Sequence, residues 1–397
     1  MKTEKVLIVG GGFGGIKAAI ELARNGHFNV TLLTEHDTFR YYPTLYRTAT
    51  GGKRANSSIP LTEIFKNLRI TIKQGVAVTL DRQAKQIITA DKQTYHYDTL
   101  IIGLGVVTNY FSIPGLKEHA YGIKSNEDAI QLKNHLHHQL IDDKQPDLNY
   151  LIVGGGPTGI ELAGALPAYL RQVMANHGIT KNSVNVRLIE AAPRLLPRLP
   201  KSTSRSVRRR LRRLGVKLHL GKVVSGQTAD ALMVDGKPMR SHTVIWTAGV
   251  TNHPFFSENS FILMNRGKVA TDVYLQTEDN IFVIGDNANT PYSGLAQTAV
   301  RDGAFVAANL KRRAKGRDMR AYNPKAPISV IPAGKRWAAV NYRKFHLSGW
   351  FGWVLREAAD WVAFNDLETW PAATRQWTTG LQTEETCTKC SNASQPS

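Results

Sequence analysis

The sequence predicts an α/β protein built from two parallel-sheet units of the same kind, with an amphipathic helix towards its C-terminal end. Two runs of apolar residues, over 6–9 and 150–153, each lead into the pattern G-x-G-x-x-G and then into apolar residues at helical spacing. Short apolar runs of this type are typical of buried parallel strands. Apolar residues at helical spacing over 350–364 predict the C-terminal helix.

Length and composition narrow the possibilities. The chain has 397 residues, enough for two or three domains that each bury a core. Its 51 basic and 31 acidic residues give a formal charge of +20, which attracts polyanions such as nucleic acid, anionic lipid or anionic small molecules. For any single basic cluster a solvated surface is the simpler explanation. The longest apolar stretch, 151–170, contains a glycine turn and Glu161, so no transmembrane helix is predicted.

The two cysteines, Cys387 and Cys390, lie in a polar tail. No disulfide framework can therefore hold the fold, which favours a reducing compartment. One C-x-x-C pair cannot complete a tetrahedral zinc site, and no metal site is predicted.

The first unit contains a complete dinucleotide-binding pattern. Gly10 follows the first strand, Gly12 would let a pyrophosphate approach the backbone, and Gly15 would let the helix pack closely on the strand. Glu35 follows a second strand, about 20 residues after the last glycine, where an acid binds a ribose hydroxyl. The pattern predicts a nucleotide site without saying which dinucleotide it holds. A glycine-rich turn with no ligand is the alternative.

The next segment contains loops and strands that complete this unit. The aromatic stretch over 39–51 is expected to be a loop that closes over a cofactor. Alternating residues predict a strand over 70–78, a hairpin over 86–97 and a buried strand over 98–105. Residues 109–114 are interpreted as the crossing into a second domain.

The second unit repeats the first. Gly154, Gly156 and Gly159 stand in the same pattern, and the following strand ends at Glu190. Two such sites in one chain favour passage of electrons or hydride between two nucleotides, and a duplicated scaffold with one inactive site is the alternative. Glu190 favours NADH, although the neighbouring Arg194 could meet the 2′-phosphate of NADPH.

Three features follow the second unit. Six arginines over 205–213 lie on a predicted amphipathic helix, which is interpreted as a solvated face, so no nucleic-acid partner is predicted. Asp286 comes just after a buried strand, where an acid is well placed to bind a ribityl hydroxyl. The helix that begins near 296 would direct a partial positive charge towards whatever it faces.

Taken together, these motifs resemble type II NADH dehydrogenases, the NADH:quinone oxidoreductases of the flavoprotein superfamily with two Rossmann-type dinucleotide-binding domains and a glutathione-reductase-like fold. The resemblance runs over about residues 5–365. Its specific parts are P-x-L-Y-x-x-A-T-G over 43–51, T-V-I-W-T-A-G-V over 243–250 and A-Q-T-A over 296–299, with further matches over 154–163 and 280–288.

The resemblance implies that the first unit binds FAD and the second binds NADH. The implied FAD contacts are Gly10, Gly12, Phe13, Gly14, Gly15, Glu35, Pro43, Leu45, Ala77, Gly105, Asp286, Gln297 and Thr298. The implied NADH contacts are Gly154, Gly156, Pro157, Thr158, Gly159, Glu161, Glu190, Ala248 and Gly249.

The resemblance also implies three catalytic positions, Glu161, Gln297 and Arg301. Glu161 would lie beside the nicotinamide and Gln297 by the isoalloxazine, where they position the rings and assist quinone protonation. Arg301 stands where relatives usually have a second glutamine in the quinone pocket. The segment 103–105 likewise departs from the more usual Ala-Thr-Gly near the flavin.

The expected domain order has an inserted second unit. The FAD-binding domain covers 1–113 and 249–325, and the NADH-binding domain inserted into it covers 114–248. A membrane-docking region over 326–382 and a disordered tail over 383–397 follow. At about 100° per residue, one face of the 350–364 helix collects Trp350, Phe351, Val354, Leu355, Trp361, Val362 and Phe364. Arg356 and Asp360 fall opposite, and Glu357 intrudes into the apolar arc.

This face predicts an amphipathic helix that docks on a membrane. Its basic neighbours near anionic lipid would be Lys335, Arg336, Arg343 and Lys344. A core helix that covers the FAD domain is the alternative.

The expected function is a non-proton-pumping, respiratory-chain NADH:quinone oxidoreductase with FAD, peripheral on the cytoplasmic face of the cell membrane. A homodimer is also expected. Its partners would be NADH, a membrane quinone and an anionic lipid surface. Two alternatives stay open: a soluble NAD(P)H-dependent ferredoxin or rubredoxin reductase, and a flavin-binding regulatory protein that has lost turnover, which only Arg301 favours. A sulfide:quinone reductase is disfavoured because its mechanism needs cysteines near the flavin.

Overall fold

The computed structural model describes residues 3–52, 57–179 and 184–365, and it has the predicted α/β architecture. The cysteines and the predicted tail lie outside the described residues. The strands are β1 (Glu4–Val9), β2 (Phe28–Thr34), β3 (Thr38–Arg40), β4 (Ser58–Pro60), β5 (Ile70–Gln74), β6 (Ala77–Asp81), β7 (Gln86–Thr89), β8 (Thr94–His96), β9 (Thr99–Ile102), β10 (Val106–Thr108), β11 (Tyr150–Val153), β12 (Val186–Glu190), β13 (Lys217–Leu220), β14 (Val224–Gln227), β15 (Ala231–Val234), β16 (Lys237–Arg240), β17 (Thr243–Trp246), β18 (Val250–Asn252), β19 (Gln276–Glu278), β20 (Ile281–Val283), β21 (Ser329–Pro332), β22 (Ala338–Tyr342) and β23 (Phe345–Gly349). The helices are α1 (Phe13–Ala23), α2 (Leu45–Ala49), α3 (Leu61–Ile64), α4 (Leu116–His119), α5 (Asn126–His137), α6 (Pro157–Asn176), α7 (Lys201–Arg213), α8 (Phe255–Glu258), α9 (Ala296–Arg313) and α10 (Trp350–Asn365).

The first sheet has the strand order β19-β20-β9-β1-β2-β5. Its central strand β1 pairs in parallel with both β2 and β9, so the first glycine turn leaves from the middle of the sheet. The expected single strand over 70–78 is wrong. The chain leaves this sheet at Gly75 and Val76, and β6 instead pairs in an antiparallel sheet with β7 and β8.

The second sheet has the order β13-β12-β11-β17 and is parallel throughout. Its central strand β11 leads into the second glycine turn, as β1 leads into the first. The chain passes between the two units through β10 and returns through β18, which pair as an antiparallel ribbon. The carboxyl ends of both central strands, where ligands bind in open α/β sheets, therefore precede the two glycine turns.

One hydrophobic cluster contains residues of both units. Helix α2 belongs to the loop segment of the first unit, yet Leu45 and Ala49 are buried in the same cluster as Ile160 and Leu166 of α6. Tyr46 joins them with 9% of its surface exposed. The glycine turns are therefore parts of one packed body.

A third, antiparallel sheet of β21, β22 and β23 carries a helix on each face. A Cβ on Gly352 of α10 would lie 3.4 Å from Val340 of β22, whereas Thr203 of α7 donates its hydroxyl to the next residue of that strand, Asn341, at 2.6 Å. Successive side chains of a strand point to opposite faces. The arginine-rich α7 and the apolar α10 thus lie on opposite sides of the sheet. Among the described residues, none of the helices combines the length and apolarity needed to cross a membrane.

Candidate functional site

The first glycine turn combines glycines that the fold requires with one that it does not. Gly10 has a φ of +111°, and a Cβ there would lie 2.3 Å from the carbonyl oxygen of Gly103. A Cβ on Gly15 would lie 2.0 Å from the carbonyl oxygen of Gly10, so α1 packs directly on β1. Gly12 has an ordinary φ of −87°, and the atom nearest to a Cβ placed there is the carbonyl oxygen of Gly103, 4.0 Å away. Protein packing does not explain the glycine at 12, but a closely approaching pyrophosphate would.

The second turn has the same division. Gly154 has a φ of +118°, and a Cβ on Gly159 would lie 1.9 Å from the carbonyl oxygen of Gly154. Around Gly156 no heavy atom lies within 4 Å of the Cβ position. No side chain caps the N-terminus of α1 or of α6, so their first backbone N–H groups face the open side of each turn. This arrangement suits two phosphate-bearing ligands.

Gly156 allows a prediction that separates ligand binding from folding. We expect G156A to fold normally, because its methyl group meets no protein atom, and to raise the KM for NADH by about tenfold or more, roughly 1.4 kcal/mol. Steady-state kinetics with NADH, together with a melting curve, measure both effects. G26A is the matched control, since the Cβ of Gly26 also has no neighbour within 4 Å and lies away from both turns. An unchanged KM in G156A would contradict this assignment.

The two acids predicted to bind ribose differ in their surroundings. Glu35 follows β2 and is exposed. Glu190 accepts hydrogen bonds from the backbone N–H groups of Gly155 at 2.5 Å and Ala192 at 2.7 Å, which fixes its carboxylate beside the second turn. Arg194 donates to backbone carbonyl oxygens, among them that of Leu199 at 2.8 Å. Because its guanidinium is engaged there, the geometry supports NADH over NADPH at this site.

The predicted ribityl-binding acid, Asp286, lies in a turn that is tied down on both sides. The side-chain amide of Asn287 accepts from the N–H of Gly105 at 2.8 Å and donates to its carbonyl oxygen at 2.6 Å. Asp302 of α9 accepts from the N–H of Gly285 at 3.0 Å. These bonds hold Asp286 at the carboxyl ends of β9 and β20, beside the first glycine turn.

Asp302 is itself completely buried. It accepts a hydrogen bond from the hydroxyl of Tyr322, and burial raises its pKa to about 6. Sequence reasoning missed both Asp302 and Asn287. The signal for Asn287 was its place next to Asp286 in the Gly-Asp-Asn turn.

Glu161 lies in the first turns of α6, between the two units. Burial raises the pKa of its carboxyl group to about 8; Asp360 adds to this rise, while Arg356 and Arg47 oppose it. A carboxyl group in this environment is largely protonated at neutral pH. Its position beside the second glycine turn and its raised pKa suit Glu161 to the role of a proton donor.

A buried charged network near Glu161 joins α10 to residues 39–51. This segment is the loop expected to close over a cofactor, and we call it the FAD-side loop. Arg356 forms an ion pair with Asp360, one turn further along α10, and also donates to the carbonyl oxygen of Pro43 at 3.0 Å. The hydroxyl of Tyr41 donates to Asp360 at 2.7 Å. Arg356 and Asp360 are only 6% and 1% exposed. The polar face of α10 thus packs inward, against the predicted cofactor site.

Glu357 belongs to the same inward face. It accepts from the guanidinium of Arg47 in α2 at 2.9 Å and is 7% exposed. The prediction that Glu357 interrupts the apolar arc is therefore wrong, because its side chain turns towards Arg47. Sequence reasoning did not foresee the network, although an Arg-Glu-x-x-Asp pattern within an apolar helix was its signal.

Comparison with known proteins identifies the family of this chain. The profile of the pyridine nucleotide-disulphide oxidoreductases matches residues 4–303. The chain belongs to this family. In sequence it is similar to type II NADH:quinone oxidoreductase from Staphylococcus aureus, with 28% identity over 337 residues that cover 79% of this chain and 83% of the relative. The predicted resemblance to type II NADH dehydrogenases is thereby confirmed.

Solved structures show the same fold. NDH2 from Plasmodium falciparum in complex with NADH aligns with a TM-score of 0.86 and 17% identity over 96% of this chain and 98% of that one. The sulfide:quinone oxidoreductase of the hyperthermophilic bacterium Aquifex aeolicus aligns with a TM-score of 0.78 and 17% identity over 98% of each chain. The described part of this pyridine nucleotide-disulphide oxidoreductase contains no cysteine, so it holds no disulfide at the predicted flavin site.

Several predicted FAD contacts of this oxidoreductase shape the site through packing. The ring centroids of Phe13 and Phe39 are 4.9 Å apart, and Leu45 and Ala77 are buried in hydrophobic clusters. A Cβ on Gly14 would lie 2.9 Å from Ile284, which keeps α1 close to the end of β20. The hydroxyl of Thr298, another predicted FAD contact, donates to the backbone carbonyl oxygen of Tyr292 at 3.0 Å.

At the start of α9, two predicted catalytic side chains contact the returning chain. Gln297 is exposed and accepts from the N–H of Ile328 at 3.2 Å. Arg301 donates to the carbonyl oxygen of Lys325 at 2.8 Å. Arg301 therefore anchors this segment to α9, and its place in a quinone pocket stays a prediction.

At the predicted NADH site of the oxidoreductase, the beginning of α6 is accessible. Pro157 and Thr158 are exposed, as is Ala248 at the end of β17. Gly249 is partly buried, and a Cβ there would lie 2.4 Å from the ring of Phe111. A ligand on the second glycine turn could thus reach Pro157, Thr158 and Ala248 without rearrangement.

The outer face of α10 is apolar, as the helical wheel predicts. Phe351 is 67% exposed, Trp350 55%, Val362 52%, Leu355 45% and Val354 39%. Trp361 is partly buried, and the side chain of Phe364 lies outside the described set. An amphipathic helix of a water-soluble protein buries its apolar face. Here the charged face is buried and the apolar face is exposed.

Proposed function

We propose that this chain is an FAD-dependent NADH:quinone oxidoreductase that works as a peripheral membrane enzyme. The observation that carries the proposal is the orientation of α10. Its exposed apolar face suits lipid, and its buried charged face lies beside Glu161 and the FAD-side loop. A lipid-facing surface is thus joined to the junction of the two nucleotide sites, which suits an apolar electron acceptor dissolved in the membrane.

The chain's own residues prepare the two ligands for reaction. The chemistry that FAD would supply when bound is acceptance of a hydride from NADH and delivery of two electrons to the quinone. Gly12 and Gly156 leave room for the two pyrophosphates, and the tied turn around Asp286 fixes the ribityl end. Positioning of the two rings and exclusion of water are what hydride transfer requires from the protein. Glu161 carries a proton at neutral pH that can be given to the quinone.

The membrane contact combines α10 with basic groups on the third sheet. Exposed Tyr342 and Phe345 flank Arg343 and Lys344 at the tip of the β22–β23 hairpin, a combination that suits the headgroup region. The arginines of α7 lie across the sheet from α10 and belong to a solvated face. The proposed location is the cytoplasmic face of the cell membrane, in a respiratory chain and without proton pumping. A homodimer also stays a prediction.

The exposed face of α10 can be tested directly. We expect F351E to reduce binding to vesicles that contain anionic lipid by about tenfold or more, because a charge placed in the interface opposes insertion. Turnover with a long-chain quinone in those vesicles should fall with it, while turnover with a short, soluble quinone persists. I262E is the control, since Ile262 is 73% exposed elsewhere on the molecule. Equal vesicle binding by F351E and wild type would refute the role of this face.

One assay separates the proposed function from its alternatives. Steady-state NADH oxidation is measured with a soluble quinone, with oxidised ferredoxin or rubredoxin, and with no added acceptor. The quinone alone is expected to restore rapid turnover. Transfer only to the iron–sulfur or rubredoxin acceptor would identify a soluble reductase. Flavin that NADH reduces but that no quinone reoxidises would identify a protein without quinone turnover.

A further inference from the structure

A completely buried carboxyl group on α9 lies directly behind the turn that carries the predicted ribityl-binding acid. The Oδ2 atom of Asp302 accepts a hydrogen bond from the backbone N–H of Gly285 at 3.0 Å. Its Oδ1 atom accepts from the hydroxyl of Tyr322, in the segment that follows α9. Asp302 therefore joins three parts of the chain: the turn after β20, helix α9 and the segment beyond it.

The carboxylate of Asp302 has no positively charged hydrogen-bond partner. Within the described part of the chain, its two donors are a backbone N–H and a phenol. A buried carboxylate without a cation costs free energy, so packing alone does not explain an acid at this position. An ionised acceptor does make a shorter and stronger bond to an N–H group than a neutral one. The acid at 302 is thus explained by a need to hold Gly285 firmly.

The peptide group of Gly285 is held from its other side as well. Its carbonyl oxygen accepts from the hydroxyl of Ser293 at 3.1 Å, and this hydroxyl accepts in turn from the ammonium of Lys268. Gly285 has a φ of +68°, and a Cβ there would lie 3.2 Å from the Cβ of Ala299 in α9. These contacts fix the backbone that leads into the next residue, Asp286.

Helix α9 also contacts the first glycine turn, one residue beyond Asp302. A Cβ on Gly303 would lie 2.2 Å from the carbonyl oxygen of Gly14. Two adjacent residues of α9 therefore contact the pyrophosphate end and the ribityl end of the predicted FAD site. Asp302 is the polar link in this arrangement.

The charge of Asp302 depends on the groups around it. Burial raises its pKa to about 6, and the neighbouring Asp286 adds to this rise. The hydrogen bonds from Tyr322 and Gly285 and the ammonium of Lys268 oppose it. The other charged side chains of α9 and of α1, which packs on it, have partners of their own: Lys17, Glu21, Arg301, Lys311, Arg312 and Arg313.

We propose that Asp302 is a positioning residue for FAD. Its ionised carboxylate holds the Gly285–Asp286 turn in the orientation that binds the ribityl chain, and its protonation weakens FAD binding. Asp302 acts through the backbone of Gly285. The proposal deepens the proposed function and rests on it only in the binding of FAD by the first unit. The alternative is a purely structural role, in which Asp302 only joins α9 to Tyr322.

The rate at which FAD leaves the holoenzyme, followed by the fluorescence of released flavin, tests the proposal. In the wild type this rate should rise as pH falls through about 6, because a protonated carboxyl group is the weaker acceptor. Asparagine offers one neutral acceptor oxygen, so D302N should release FAD about tenfold faster at neutral pH and lose this dependence on pH. D318N is the matched control, because Asp318 is exposed beyond the end of α9.

A second variant keeps the charge of Asp302. The hydroxyl of Tyr322 lowers the pKa of Asp302, so Y322F should move the onset of FAD release to higher pH. A structural link alone would not move this onset. Acid unfolding is not mistaken for the effect, because a carboxyl group with a raised pKa stabilises the fold most when it is protonated.

Each outcome decides the proposal. A wild-type rate and pH dependence in D302N would overturn it, since another group, such as His253 in the field of Glu35, would then carry the dependence. If D302N does not fold, Y322F decides alone, and an unmoved onset refutes the proposal. Wild-type quinone turnover is measured separately. A failed quinone assay with the expected shift in Y322F would refute the proposed function and leave the role of Asp302 standing.

Discussion

Replacing Glu161 with glutamine is expected to slow quinone reduction by about 100-fold, within the usual range for loss of a general acid. Hydride transfer from NADH should change far less, because it needs no acid or base. Stopped-flow measurement of flavin reduction and of its reoxidation by quinone separates these two steps. E118Q is the control, since Glu118 is an exposed glutamate in the same unit. Equal slowing of both steps would mean that Glu161 positions the rings and does not donate a proton.

The pH dependence gives a second test of Glu161. Because burial raises its pKa to about 8, the carboxyl group is protonated below that pH and loses its proton above it. Reoxidation of the flavin by quinone should therefore slow as pH rises through about 8. In E161Q this decrease in rate should be missing. The free energy of unfolding is expected to change with pH in the same direction. A carboxyl group with a raised pKa stabilises the fold while it is protonated, and this contribution is lost as pH rises from the unfolded pKa towards 8.

The second large effect is expected at the buried ion pair of α10. D360A should destabilise the protein by about 3–5 kcal/mol, because it leaves the guanidinium of Arg356 buried without its carboxylate. The hydroxyl of Tyr41 loses its acceptor as well. Urea unfolding followed by intrinsic fluorescence measures the loss.

Two comparisons show whether the unpaired charge is the cause. K222A breaks the exposed pair of Lys222 with Asp235 and should cost little. The double substitution R356M/D360L removes both charges and should be more stable than D360A. If the double variant loses as much stability as D360A, the hydrogen bonds of the network, rather than the uncompensated charge, hold α10 in place.

Local patterns were sufficient for the nucleotide turns. The strand, the three glycines and the acid of each unit lie within one βαβ segment, so sequence order brings them together. The reason for each glycine also follows from local geometry: the fold itself requires Gly10 and Gly15, whereas only a ligand explains Gly12. Helical spacing likewise predicted which residues form the apolar face of α10, whereas the exposure of that face depends on how the helix packs.

Contacts distant in sequence were not predictable. Arg47 and Glu357 are 310 residues apart, and only the packing of α2 against α10 pairs them. Arg194 was a candidate for a 2′-phosphate because of its place after β12, but backbone carbonyls nearby already engage it.

The hydrophobic cluster formed by α2, α5 and α6 limits how far the two units can move relative to each other during turnover. Many enzymes with two nucleotide-binding lobes open and close about a hinge, but here side chains of both units interlock in one cluster. Separating the units would expose Leu45 and Ala49 to water, so large hinge motions are disfavoured. This packing favours a fixed distance between the two glycine turns. Exchange of NADH for NAD⁺, and of quinone for quinol, must then rely on small local movements at the two rims of the site.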